Sequence, residues 1–145
     1  MAQNQPSDVP SPAPIDVIFL TVDTLRTDSL SSYNFESISS TPNIDKLALD
    51  GVLYEQAYSP ISVTGPAFTT LMTGLDPSSH GIIQNHYLTN NSLGDEHVTL
   101  AETLLDQAYK TAAFVSAFTL DSELGLHQGF EEYDDHIGLN LRQPG

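Results

Sequence analysis

The stretch Ser62–Gly81, SVTGPAFTTLMTGLDPSSHG, contains the clearest structural signals in this chain of 145 residues. Apolar residues recur there at spacings of three and four, which predicts a short helix with one buried face. These residues are Phe68, Leu71 and Met72. Pro66 is typical of a first helical turn, where its missing N–H costs nothing, and Gly74 is typical of the position just after a helix end. The segment therefore predicts a helix that begins near Thr64 and stops before Gly74.

Thr64 stands at or just before the positive end of the predicted helix. A helix dipole stabilises an alkoxide or a bound oxyanion at that position, which gives the Thr64 hydroxyl a possible chemical role. Threonine is also a common N-cap residue, and this segment alone favours that simpler interpretation.

Strand and helix signals alternate along the rest of the chain. Strands are predicted at Ile15–Val22, Val52–Tyr58 and Lys110–Ala117, and helices at Thr41–Asp50 and after the capping box Thr99-Leu-Ala-Glu102. This alternation predicts an α/β fold, with a mostly parallel sheet and helices on both faces. Asp23 and Thr64 each follow a predicted strand, so we expect them at one sheet edge, with Cα atoms within about 10 Å if they share a cation.

The composition excludes several classes of function. Four Lys and Arg residues against 19 Asp and Glu residues give a net charge of −15, which argues against nucleic acid or anionic membranes as partners. The chain has no cysteine, so disulfides and thiolate metal sites are ruled out. No apolar run is long enough to predict a membrane span.

Residues 1–14, MAQNQPSDVPSPAP, are polar and proline-rich, which predicts a flexible leader before a domain at residues 15–145. The leader lacks the basic and apolar regions of a signal peptide. Localisation therefore stays open, with the cytoplasm as the default and an exported form as the alternative.

Three segments, in order, resemble the N-terminal part of the catalytic domain of sulfatases in the alkaline phosphatase superfamily. They are Val22–Tyr33, Thr41–Pro60 and the segment that begins at Thr64, with weaker similarity at Thr99–Ser116 and Gly125–Asp135. The resemblance implies an alkaline-phosphatase-like α/β fold, incomplete here because the C-terminal half of the domain is missing. It also implies hydrolysis of a small anionic sulfuric ester with a divalent metal ion, calcium first, and zinc or manganese as alternatives.

The same resemblance assigns roles to Asp23 and Thr64. It implies that Asp23 binds the metal and that Thr64 is both the nucleophile and a metal ligand. Most sulfatases use a formylglycine made from cysteine, which this chain cannot form. A threonine there resembles the nucleotide pyrophosphatase/phosphodiesterase branch. Many sulfatases also have two consecutive aspartates where this chain has Asp23 and Thr24, so one ligand is missing or replaced.

The chain lacks the cations that hold sulfate oxygens in the resembled family. Phe68 replaces an arginine, and Ser116 and Phe118 stand where a lysine and a histidine are expected. Arg26 is the remaining candidate for binding the substrate, with an ion pair to Asp28 as the alternative.

Two further histidine-containing elements favour structural interpretations. His80, in Ser-His-Gly, is interpreted as a structural loop residue, and Asp134-Asp135-His136 as solvated surface. Two alternatives to a sulfatase stay open: a phosphodiesterase or phosphonate ester hydrolase of the same superfamily, and a non-catalytic truncated remnant. The 145 residues alone are expected to be inactive and to expose apolar surface.

Overall fold

The structure, a computed structural model, describes residues 15–33, 40–89 and 91–136. The leader predicted at residues 1–14 lies outside these ranges. The chain divides after Gly51 into two compact units. The described residues contain, in chain order, five helices and two strands: α1 Pro42–Asp50, α2 Thr64–Thr73, α3 Pro77–His80, α4 His86–Thr89, α5 Leu100–Asp106, β1 Ala112–Phe114 and β2 Glu132–Asp134. Short 3-10 turns form at Thr27–Ser29, Phe118–Leu120 and Ser122–Leu124.

In the first unit, residues 15–22 form no strand, so the strand predicted there is wrong for this structure. A strand needs a neighbouring backbone to pair with, and within the described residues none pairs with this segment. Its apolar side chains are exposed, Ile18 by 92% and Leu20 by 80%. The exposed apolar surface that the sequence predicts is present here.

Helix α1 confirms the helix predicted from the Thr-Pro start, and a polar network holds its first turn. Ser31 Oγ donates a hydrogen bond to Asp45 Oδ2 at 2.6 Å, and Thr41 Oγ1 donates to Asp45 Oδ1 at 3.1 Å. These hydrogen bonds, that of Ser31 foremost, lower the pKa of the Asp45 carboxyl. The network joins the turn after Leu30 to the start of the helix.

Helix α2 confirms the prediction made from Pro66 and Gly74. Gly74 follows the helix with a φ of 70°, the left-handed conformation that glycine adopts without strain. The buried face differs from the predicted one, because Leu71 is exposed and Thr69 is fully buried. Phe68 and Met72 pack, as expected, against a core of Ile82, Leu93, Leu120, Leu124 and Leu126.

The capping box at the start of α5 forms as predicted. Thr99 Oγ1 accepts from the Glu102 N–H at 3.1 Å, and Glu102 Oε2 accepts from the Thr99 N–H at 2.8 Å. Thr99 Oγ1 also donates to the Gln128 carbonyl oxygen at 3.0 Å, which joins the helix to the segment before β2.

Strands β1 and β2 pair in parallel, with Ala112 opposite Glu132 and Phe114 opposite Asp134. The strand predicted at Lys110–Ala117 contains β1, whereas residues 52–58 form no strand, so that prediction is wrong. Helices with a small parallel sheet are the architecture expected of an incomplete α/β domain. In the described part of the chain, no helix is long and apolar enough to cross a membrane.

Candidate functional site

Thr64 is the first residue of α2 and is partly buried. Val63 is extended, and its carbonyl accepts the first helical hydrogen bond, from the Ala67 N–H at 3.0 Å. Val63 is therefore the N-cap, and the N-cap interpretation of Thr64 is wrong. Thr64 lies inside the first turn, where the helix dipole favours negative charge on its oxygen.

Asn85 contacts the same turn from a distant part of the chain. The Gly65 N–H donates to Asn85 Oδ1 at 2.8 Å, which satisfies an amide that the helix itself leaves without a partner. A Cβ on residue 65 would lie 3.0 Å from Asn85 Oδ1, so the glycine allows this close approach. Asn85 was not predicted from the sequence, because its contact with Gly65 joins residues 20 positions apart.

The residues that replace the expected cations do not form an anion pocket. Phe68 packs against the core of the second unit. Ser116 and Phe118 are exposed, and the Phe118 ring lies with its centroid 5.2 Å from that of Tyr87. At these positions the second unit offers apolar packing or a hydroxyl in place of positive charge.

Asp23 lies in the first unit, is exposed, and precedes a strained residue. Thr24 has a φ of 57°, in the left-handed region that β-branched residues rarely adopt. Such a conformation costs about 1–3 kcal/mol and is often found at functional sites. The strain falls at the position where many members of the resembled family have a second aspartate.

Arg26 is exposed and forms an ion pair with Asp28. Its Nε donates to Asp28 Oδ1 at 2.8 Å, and its Nη2 contacts Asp28 Oδ2. The hydrogen bonds raise the pKa of Arg26 and lower the pKa of Asp28. The ion pair with Asp28, which was the alternative to substrate binding by Arg26, is therefore present in the structure.

His80 is buried, with both ring nitrogens in hydrogen bonds. The Ile82 N–H donates to Nδ1 at 3.1 Å, so the proton of the neutral ring is on Nε2, which lies 3.0 Å from Thr70 Oγ1. Burial, followed by the charge of His97, lowers the pKa of His80. His80 is the last residue of α3 and not a loop residue, and its structural role stays a prediction that these internal hydrogen bonds support.

The acidic segment at residues 134–136 forms hydrogen bonds within itself and one to Ser122, 13 residues before Asp135. His136 donates to Asp134 Oδ1 through its backbone N–H at 3.0 Å, and Asp135 Oδ2 accepts from the Ser122 N–H at 2.8 Å. That backbone hydrogen bond lowers the pKa of Asp135. Asp134 and His136 are exposed, which agrees with the solvated surface predicted from the sequence.

Residues 15–143 match the family model described as Sulfatase. The chain belongs to the sulfatase family. It is 35% identical over 102 residues to arylsulfatase A of Bos taurus, an alignment that covers 68% of this chain and 20% of that protein. It is 27% identical over 134 residues to N-acetylgalactosamine-6-sulfatase of Homo sapiens, covering 85% of this chain and 26% of that protein.

A bacterial relative agrees with this assignment. The chain is 42% identical over 67 residues to a sulfatase of Formosa agariphila, covering 46% of this chain and 13% of that protein. No solved structure matches the chain. The chain thus spans about a fifth of the length of the curated sulfatases that it matches. For arylsulfatase A of Bos taurus, the covered share of that protein is 20%.

The two metal donors expected from the sequence lie in different units, Asp23 in the first and Thr64 in the second. Their proximity stays a prediction. A carboxylate and a hydroxyl are the oxygen donors that a hard cation prefers, so the type of donor fits calcium. The number of donors does not fit calcium, because calcium takes six or more oxygens. The described ranges contain no cluster of three or more His, Asp or Glu side chains placed to hold a metal.

Proposed function

We propose that the native full-length protein is a metal-dependent hydrolase of small anionic sulfuric esters, with Thr64 as its nucleophile. The observation that supports this role is the position of Thr64, a hydroxyl residue in the first turn of a ten-residue helix within the segment that matches the sulfatase family. In this proposal, residues 15–145 are the N-terminal part of the catalytic domain and residues 1–14 are a leader.

In the proposed reaction, the Thr64 hydroxyl loses its proton to solvent, and its Oγ1 attacks the ester sulfur. The bond between sulfur and the leaving oxygen breaks, and the leaving oxygen takes a proton from solvent. Water then attacks the sulfur of the sulfated threonine, the bond between sulfur and Oγ1 breaks, sulfate leaves, and Oγ1 takes back a proton. A hydroxyl is a weak nucleophile at neutral pH, and the dipole of α2 favours the alkoxide that attacks.

Asp23 is the proposed metal ligand of the first unit. A bound divalent cation, calcium in this proposal, with zinc or manganese as alternatives, would neutralise charge on the ester and lower the pKa of a coordinated hydroxyl. The net charge of −15 on these 145 residues repels an anionic substrate unless a metal or a helix terminus offsets the field locally, which supports the proposed cation. The remaining ligands would come from outside the described residues.

Arg26 is a weaker candidate for contact with the ester. Its guanidinium is engaged by Asp28, so binding the substrate would require this exposed pair to separate. We propose it as a secondary anion contact only.

The second candidate function is hydrolysis of phosphodiesters or phosphonate esters. The packing of Phe68 into the core supports it, because that position then contributes no positive charge to hold a sulfate group. A hydroxyl nucleophile is compatible with attack on either sulfur or phosphorus.

Turnover of an aryl sulfate and of a bis-aryl phosphate by the native full-length protein compares the two functions. We expect hydrolysis of the aryl sulfate to stop on chelation and to return with added calcium. Faster turnover of the phosphate diester would favour the second candidate. No turnover of either ester in a metal-replete, folded protein would favour a non-catalytic remnant.

Asp23→Asn tests the metal site, with Asp106→Asn as the matched control. Asp106 is an exposed carboxylate at the end of α5. Asp23→Asn should lower both turnover and metal affinity because it removes the charge that holds the cation, whereas Asp106→Asn should change neither. Equal effects of the two variants on metal binding would contradict the role of Asp23.

A further inference from the structure

Two aromatic side chains of the second unit lie against each other and are more than half exposed. Tyr87, in α4, is 57% exposed, and Phe118, the first residue of the 3-10 turn Phe118–Leu120, is 52% exposed. Their ring centroids are 5.2 Å apart, and their planes are inclined by 46°. Each ring therefore contacts the other on one side and can contact a further apolar group on its exposed side.

Ordered backbone presents both rings. In the 3-10 turn that begins with Phe118, the next two residues are buried, and Leu120 belongs to the core of the second unit. The Leu88 N–H donates to the Asn85 carbonyl at 3.0 Å, which closes the first turn of α4 around Tyr87. The pair of rings, which we call the aromatic pair, is thus a fixed feature of this surface.

The aromatic pair lies beside the helix that carries Thr64. The 3-10 turn of Phe118 packs against α2, and α4 follows Asn85, whose side-chain oxygen accepts from the Gly65 N–H at 2.8 Å. A Cβ on residue 65 would lie 3.5 Å from Asn85 Cα. Because consecutive Cα atoms are about 3.8 Å apart, the Cα atoms of Gly65 and Tyr87 are at most about 13 Å apart. An ester attacked by Thr64 can therefore reach the pair with its leaving group.

The described surface around the aromatic pair carries no lysine or arginine. Lys110 is the one such residue in the described part of the second unit, and it precedes β1, whereas Phe118 follows β1. Phe118 also stands where a histidine is expected in the sulfatase family. A phenylalanine ring offers no hydrogen bond to a sulfate oxygen, so this position favours contact with the uncharged part of an ester.

We propose that Tyr87 and Phe118 form a subsite for the leaving group of the ester, and that this subsite selects esters of aromatic alcohols. The proposal rests on the proposed function of Thr64. An aromatic leaving group can pack against the two inclined rings in the offset or edge-to-face arrangement that aromatic groups prefer. A sugar would need several hydrogen-bond partners for its hydroxyls, whereas the two side chains offer only the Tyr87 hydroxyl.

Two sulfonates test the subsite without turnover. Benzenesulfonate and methanesulfonate carry the same anionic group, and only benzenesulfonate has an aromatic ring. The ratio of their dissociation constants, measured by isothermal titration calorimetry on the metal-replete native full-length protein, therefore gives the preference for the ring. We expect wild type to bind benzenesulfonate more tightly. Tyr87→Ala and Phe118→Ala should each lower the preference about 2- to 12-fold, the effect of one aromatic contact, and leave methanesulfonate binding unchanged.

Conservative variants separate the aromatic ring from general packing. Tyr87→Phe and Phe118→Tyr keep a ring and should keep the preference, whereas Tyr87→Leu and Phe118→Leu keep apolar bulk and should lose it. Phe114→Ala is the matched control, because Phe114 is an exposed phenylalanine of β1 outside the aromatic pair, and it should leave both dissociation constants unchanged. For phenyl sulfate, kcat/KM should fall in the alanine variants by the same factor as the preference.

Equal or undetectable binding of the two sulfonates by wild type would overturn the proposal. An unchanged preference in folded Tyr87→Ala and Phe118→Ala would also overturn it, and a lower melting temperature beside that unchanged preference would mean that the rest of the full-length chain covers the pair. If the alanine variants do not fold, the leucine variants decide by the same criterion. Absence of phenyl sulfate turnover in a wild-type protein that prefers benzenesulfonate would instead overturn the proposed function of Thr64 and leave the aromatic subsite in place.

Discussion

Replacement of His80 by phenylalanine tests how much the buried His80 ring contributes to the stability of the second unit. Phenylalanine keeps an aromatic ring but accepts no hydrogen bond, so the Ile82 N–H loses its partner in a residue that is 1% exposed. An unpaired buried donor costs about 1–3 kcal/mol of unfolding free energy. We expect His80→Phe to destabilise the protein by that amount at pH 8.

The cost should depend on pH in a defined direction. Because the folded-state pKa of His80 is lowered, the folded protein keeps the ring neutral while the unfolded chain takes up a proton near pH 6.5. The contribution of neutral His80 to the unfolding free energy is therefore complete above about pH 6.5. It declines as the pH falls through that value towards the lowered pKa. The stability difference between wild type and His80→Phe should shrink from pH 8 to pH 5.

Urea unfolding of both proteins at several pH values measures this difference. His136→Gln is the control, because the His136 side chain is 92% exposed and its replacement should leave the pH profile unchanged. A difference between wild type and His80→Phe that stays constant from pH 8 to pH 5 would refute the inference that burial holds His80 neutral.

Two further predictions concern stability. Leu124→Ala should lower the unfolding free energy by about 2.7–5 kcal/mol, because Leu124 is fully buried in the core. An unfolding free energy within about 1 kcal/mol of wild type would show that this core is not well packed. Thr99→Ala should cost about 1–2 kcal/mol by removing the capping box of α5, whereas Thr99→Ser should restore most of it; equal melting temperatures for Thr99→Ala and wild type would contradict the capping role.

Helices were predictable from the sequence where their ends carry local signals. Pro66 and Gly74 bound α2, and Thr99 with Glu102 opens α5, because capping and left-handed conformations depend on residues close in sequence. The strands predicted at residues 15–22 and 52–58 did not form, since a strand depends on a partner that its own residues do not specify. Strand β2, Glu132–Asp134, was not predicted, because its acidic residues give no strand signal and it forms by pairing with β1.

The candidate site was predictable in part. Thr64 at the helix start follows from Pro66 and Gly74, although the structure places it inside the first turn and not at the N-cap. The contact between Gly65 and Asn85 joins residues 20 positions apart, so no local pattern could indicate it. The exposure of Leu71 also depends on which neighbours α2 packs against.

The value of kcat for Thr64→Ala in the native full-length protein decides whether Thr64 is the nucleophile. Thr64 is not the N-cap of α2, so the substitution should cost no more than one ordinary hydrogen bond, about 0.5–1.5 kcal/mol. The protein should stay folded, with a melting temperature near that of wild type. Loss of the attacking oxygen should lower kcat by about 1,000-fold or more.

Thr64→Ser is the matched control, because serine offers the same oxygen at the same helix start. It should retain a measurable fraction of wild-type kcat. If Thr64 is the nucleophile, Thr64→Ala will be folded and without ester turnover, whereas Thr64→Ser will be active. Full turnover by a folded Thr64→Ala protein would contradict this assignment and leave Thr64 as a structural residue of the first helical turn.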